Sequence, residues 1–196
     1  MKNTSPGGLF NLVELHHIIR NADEMFWILE GDGDVGMRHV LCDRYMTWRV
    51  ALPNDSYTNE VILKRFNGQK PAAGDALRSV RARKRYVVSK SAAHVAMLQS
   101  ILDAEPSFSA IDTGHTIDYG SEGMQIHAYY VCGWAVRERD YVFIDQKYRV
   151  CFNEVEEALA NDIKRTSSLL FLGAYDERAV VMPVNTCKPQ FLADLN

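Results

Sequence analysis

The sequence predicts an α+β protein, an antiparallel sheet with helices packed on one face, and three observations carry that prediction. Met124 to Val136 places an apolar residue at every second position, the period of a strand with one face in the core. The charged stretch Arg137-Glu138-Arg139-Asp140 then reads as a turn, and Tyr141 to Ile144 and Tyr148 to Phe152 continue the pattern as two more strands. Such a meander around residues 124–152 pairs antiparallel. Helical stripes flank it: Leu9, Leu12, Val13, His16 and Ile19 on one side, and Val155, Leu159, Ile163, Thr166 and Leu170 on the other.

The remaining elements follow in order. Met25 to Leu29 is a short run of large apolar residues that reads as a strand, and the glycine-rich Gly31 to Gly36 supplies a reversal. Met37 to Leu52 reads as a second strand region, closed by Pro53-Asn54-Asp55. Val61 to Phe66 fits either a helix or a strand, with Asn67-Gly68 as a helix C-terminal cap or a hairpin turn, and the helix is the preferred reading. Asp75 to about Arg83 suits another, and Ser91 caps a third in which Val95, Leu98 and Leu102 share a face before Pro106. Pro106 to Gly123 is rich in hydroxyl residues and glycine and reads as loop. Asn153 with Glu156 resembles a capping box for the last helix, and Ala179 to Val184 is a final strand that Pro183 places at an edge.

Composition limits the class further. Apolar residues are 47% and charged residues 24% of 196, enough to bury one core and too ordered in pattern for a disordered chain. No linker-like tract divides residues 1–196, so a single globular domain is expected. No apolar run reaches the roughly 18 residues of a membrane span, and Met1 to Pro6 leads into no apolar segment of signal-peptide length. A cytoplasmic protein with no membrane partner is the resulting expectation. Cys42, Cys132, Cys151 and Cys187 are widely spaced and read as reduced thiols; the His39 and Cys42 pair lacks the second ligand pair of a zinc site.

Three segments could carry chemistry. Gly31 to Gly36 matches G-x-G-x-x-G after a strand, but Asp32 and Asp34 would oppose a pyrophosphate, and no helix pattern follows. The same two acids suit magnesium or manganese bridging a phosphate. Asp112-Thr113-Gly114-His115-Thr116-Ile117-Asp118 puts a histidine between carboxylates, the arrangement that raises and orients a general base. Together Asp32, Asp34 and His115 define an alternative reading, a small metal-dependent hydrolase or transferase acting on a phosphorylated or nucleotide substrate.

The third segment is the least ordinary. No acid occurs from Ala76 through Leu102, whereas Arg78, Arg81, Arg83, Lys84, Arg85 and Lys90 fall inside it. Without these six cations the chain holds 16 basic against 25 acidic residues, so one basic patch sits on an acidic body. On a helix Arg78, Arg81 and Arg85 would form a stripe, with Tyr86 placed to stack on a base. The expectation is a non-enzymatic interaction protein that meets an acidic protein surface or nucleic acid through this segment. A structural subunit of a larger assembly, completing a partner's sheet, is a further reading.

Overall fold

The computed structural model describes residues 8–31, 36–54, 56–104, 108–121, 124–131, 134–145, 150–153, 168–173 and 176–182. Eleven strands are present among them, and every pairing is antiparallel. They are β1 Glu24–Glu30, β2 Arg38–Asp43, β3 Trp48–Pro53, β4 Leu77–Ala82, β5 Arg85–Lys90, β6 Phe108–Ser121, β7 Met124–Val131, β8 Trp134–Arg137, β9 Val150–Asn153, β10 Leu169–Leu172 and β11 Arg178–Val181. The order across the sheet is β5-β4-β1-β2-β3-β11-β10-β9-β6-β7-β8. The helices are α1 Leu12–Asn21, α2 Ser56–Arg65, α3 Val95–Gln99, preceded by a 3-10 turn Ala92–His94, and α4 Glu138–Tyr141.

The α+β class and the antiparallel sheet hold, while the helices cover both faces of the sheet instead of one. Met25, Trp27, Leu41, Val50, Leu77 and Phe171 face a core with Leu15 and Ile19 of α1 and Ile62 and Phe66 from α2 and its end. The alternate residues Phe26, Ile28, Val40, Cys42, Leu170 and Val180 face a second core with Leu98, Ile101 and Ala104. This explains the uninterrupted apolar run of β1: a strand covered on both sides has no polar face. Burial pushes the Cys42 thiol up to about 12, so it behaves as a small apolar residue. His39 and Cys42 lie on opposite faces of β2 and cannot share a metal ion.

Local chemistry accounts for the helix ends. The Asn11 side chain accepts the Glu14 N–H and starts α1, and α1 ends at Ala22, whose N–H reaches the Ile18 carbonyl. His16 turns inward as its place in the stripe predicts, 3.2 Å from the Thr58 hydroxyl of α2. Asn67 and Gly68 both take positive φ, and the Gly68 N–H bonds the Leu63 carbonyl at 2.7 Å, the cap read from the sequence.

Several elements differ from expectation. Asp75 to Arg83 is not helical: Leu77–Ala82 is β4, which turns through Arg83-Lys84 into β5. Its alternation of Leu77 and Ser79 inward with Arg78 outward is the signal that the arginine spacing obscured. The stretch 106–123 holds the 14-residue strand β6, with a register irregularity between Asp112 and Thr116. Met124 to Val136 is two strands, β7 and β8, paired with each other from Val131↔Trp134. Residues 138–141 form α4 in place of a turn, and Ile144 makes a single bridge to Phe10. Leu170 belongs to β10, and the rest of the helix expected after Asn153, with Asn153-to-Glu156 capping, lies outside the described residues. β11 is interior, between β3 and β10, with Pro183 outside the described residues.

Candidate anion-binding hairpin and its neighbouring clefts

The basic segment is a β-hairpin at one end of the sheet, so β5 is an edge strand. Its cations do not form one stripe. On paired strands Arg78, Ser89 and Arg85 share one face, and Arg81, Tyr86 and Lys90 the other. The i, i+3, i+7 helical stripe of Arg78, Arg81 and Arg85 therefore does not exist.

The base of the hairpin is neutralised within the fold. Arg78 Nε donates to Glu24 Oε1 at 2.5 Å, and Glu24 is buried at the start of β1. The bond from Arg78 holds the Glu24 carboxyl below the usual glutamate range, against the opposing effect of burial, and Arg44 adds a 3.7 Å contact. Lys90 Nζ lies 2.6 Å from Asp75. Arg81 donates to the Asn21 carbonyl and side chain at 3.3 Å, a cation on the C-terminal end of α1 where the helix dipole favours it.

Tyr86 is also engaged. Its hydroxyl donates to the Arg20 carbonyl at 2.9 Å, and the Arg65 guanidinium sits 4.4 Å from its ring centroid. Arg65 is buried, and its hydrogen bonds run to the Ser79 and Arg20 carbonyls; burial lowers its affinity for the proton, and the ring and phenol of Tyr86 oppose that. The Tyr86 ring thus clamps α2 to the hairpin and is not a free platform for a base.

Arg83, Lys84 and Arg85 remain. All three are exposed at the tip, and none has an acidic partner among the described residues. Arg83 takes φ +57°, a left-handed conformation that glycine adopts at less cost. Val87 follows on β5, 53% exposed on the Arg85 face.

Two clefts share Glu24 and Arg44 in their walls. One, of about 440 Å³, is lined by Glu24, Arg44, Arg78, Ser89, Lys90 and His94. Its floor is fixed: the His94 ring stacks on Phe26 at 3.8 Å, and His94 Nδ1 is 2.7 Å from the Ser91 hydroxyl. The other, of about 350 Å³, contains Asp43 and Asp140. Thr47 Oγ1 donates to Asp43 at 2.7 Å and lies 3.3 Å from Asp140. Burial raises the Asp140 pKa, and the nearby Arg139 and Arg137 charges and the Thr47 hydroxyl oppose that rise.

The other sequence candidates fare differently. Asp32 and Asp34 lie outside the described residues, and the strands on either side of Gly31 to Gly36, β1 and β2, are antiparallel neighbours, whereas a dinucleotide-binding unit is built on parallel strands. Gly31 has φ +121°, and a Cβ there would stand 2.1 Å from the Gly36 carbonyl oxygen, so glycine is required. His115 is in strand β6 and not in a loop, at the register irregularity; its side chain is outside the described set. No group of three metal-ligating side chains occurs among the described residues, and no described helix is long and apolar enough to cross a membrane. Sequence reasoning missed Glu24, Arg44, His94 and Asp140. Glu24 is 54 positions from its partner Arg78, and no local pattern encodes that pairing.

Comparison with known proteins gives no match: no family model, no curated protein and no solved structure resembles this chain.

Proposed function

We propose that this chain is a non-enzymatic interaction protein that binds an acidic polypeptide segment along the β5 edge, with the hairpin tip as its electrostatic anchor. The supporting observation is the division of the basic segment, in which Arg78 and Lys90 are neutralised internally while Arg83, Lys84 and Arg85 have no acidic partner among the described residues. Three uncompensated cations on an acidic body steer an anionic partner to one place. Beyond Tyr86, whose carbonyl accepts from Asn67 Nδ2 at 2.9 Å, the edge strand offers main-chain hydrogen bonds to an extended partner, and Val87 beside Arg85 adds apolar contact. Engagement of the Tyr86 ring by Arg65 favours a polypeptide over single-stranded nucleic acid, which needs aromatic faces for its bases.

The test is fluorescence anisotropy with a labelled glutamate-rich peptide and a labelled single-stranded DNA of equal charge, each over a range of salt. The peptide should bind more tightly, its affinity should fall with salt, and Arg83→Gln, Lys84→Gln and Arg85→Gln together should weaken it roughly tenfold with the melting temperature unchanged. Tighter binding of the DNA, or peptide affinity unaltered in the triple variant, would overturn the reading.

A further inference from the structure

We infer that the cleft at the base of the hairpin is a second, separate site that binds a phosphate monoester group. The inference does not rest on the tip and its peptide; it comes from how Glu24 holds two arginines.

Glu24 engages both guanidiniums through Nε, Arg78 on Oε1 at 2.5 Å and Arg44 on Oε2 at 3.7 Å. Arg78 thus has its Nε edge hydrogen-bonded to the carboxylate, Arg44 stands beside the other oxygen in an ionic contact, and the terminal amino groups of both carry no protein hydrogen bond among the described residues. Arg44 is further steadied over the Tyr45 ring at 5.3 Å. Both line the same 440 Å³ cleft, a volume that suits a small ligand. A buried carboxylate that fixes one guanidinium by a hydrogen bond and draws a second to its other oxygen gathers the donors before any ligand arrives, which lowers the ordering cost of binding.

The other lining groups extend the same chemistry. Ser89 pairs with Arg78 across the hairpin and so shares its face. His94 has Nδ1 held by Ser91 and its ring held by Phe26, while Nε2 has no hydrogen-bond partner among the described residues. Lys90 completes the wall, held by Asp75. Arg44, Arg78 and Lys90 against Glu24 and Asp75 is three positive charges against two negative, one net positive charge. One arginine fork is enough for a planar carboxylate. Two forks with a hydroxyl and a ring nitrogen around an open space match the several oxygens of a tetrahedral phosphate.

The probe is inorganic phosphate, titrated into the full ¹⁵N-labelled chain and followed through backbone amides and arginine Nε–Hε signals, with chloride at matched ionic strength as control and O-phosphoserine as a second ligand. Saturable shifts at Arg44, Arg78, Ser89 and His94 that chloride does not reproduce are expected. Arg44→Gln, which leaves the Arg78 to Glu24 bond in place, should weaken phosphate roughly tenfold, the loss of one charge-assisted contact. Ser89→Ala should weaken it less, and the Arg83, Lys84 and Arg85 triple variant should not change it, which separates this site from the tip. Tighter binding of O-phosphoserine would identify a phosphate carried on a larger molecule, and equal binding would identify free phosphate as sufficient; both uphold the site. Shifts reproduced by chloride, shifts confined to residues 83–85, or phosphate affinity unchanged in Arg44→Gln would overturn it.

Discussion

At the scale of single residues, two carboxylates are set in opposite electrostatic states, and the pH dependence of stability should separate them. Glu24 has its pKa lowered by Arg78, so it contributes stability that is present above the unfolded value of 4.5 and is lost as pH falls toward the folded one. Asp140 has its pKa raised by burial, so the folded state binds its proton more readily, and stability falls as pH rises from 3.8 through the folded value. Glu24→Gln should therefore lower stability at neutral pH by about 1 to 3 kcal/mol and flatten the acid limb of the profile. Asp140→Asn should leave neutral stability equal or higher and remove the opposing slope. Urea midpoints measured across the acidic and neutral range read both, and a Glu24→Gln variant as stable as the parent at neutral pH would show that the Arg78 bond contributes nothing net. Neither partner relation is visible in the sequence: Asp140 sits in a charged run that reads as a solvated turn, and only the fold brings it under Thr47.

At the scale of elements, the hairpin shows how far sequence reasoning reaches. The acid-free window was legible as a basic patch, because charge is a property of composition. Its form was not, because the connection Arg83-Lys84 carries none of the glycine or asparagine that mark a two-residue turn, and the arginine spacing imitated a helix face. β7 and β8 were read as one strand for the related reason that apolar alternation continues across the reversal. Strand β1 and the inward His16 were legible, and Asn67-Gly68 was legible as a turn or a cap, since each depends on residues a few positions apart. The left-handed Arg83 gives a test at this scale. Arg83→Gly should relieve backbone strain and hold or raise stability, by up to about 1 kcal/mol, while weakening the acidic peptide. If Arg83→Gly binds that peptide as well as the parent does, the side chain is not part of the anchor and the backbone cost has no functional counterpart.

At the scale of the whole molecule, the sheet order interleaves distant parts of the chain in a way that ties its stability together. β11 lies between β3 and β10, so residues 178–181 join strands 48–53 and 169–172, and no cut in sequence separates one paired set from another. Loops reinforce the closure: the Leu9 N–H donates to the Glu177 carboxylate at 2.5 Å, and the Asp145 N–H to the Leu9 carbonyl at 2.8 Å. Phe171 on β10 is fully buried in the same core as Ile19 of α1 and Phe66 beyond α2. Truncating it removes packing from elements more than a hundred residues away in sequence, so Phe171→Ala should cost about 3 to 5 kcal/mol and lower the unfolding of the entire chain. Calorimetry of the parent should show one transition, coincident with loss of far-ultraviolet circular dichroism and of tryptophan fluorescence, and the variant should show the same single transition at lower temperature. Two resolved transitions, of which Phe171→Ala moves one alone, would mean that the strands from β6 onward unfold apart from the sheet around β1 despite the continuous hydrogen bonding between them.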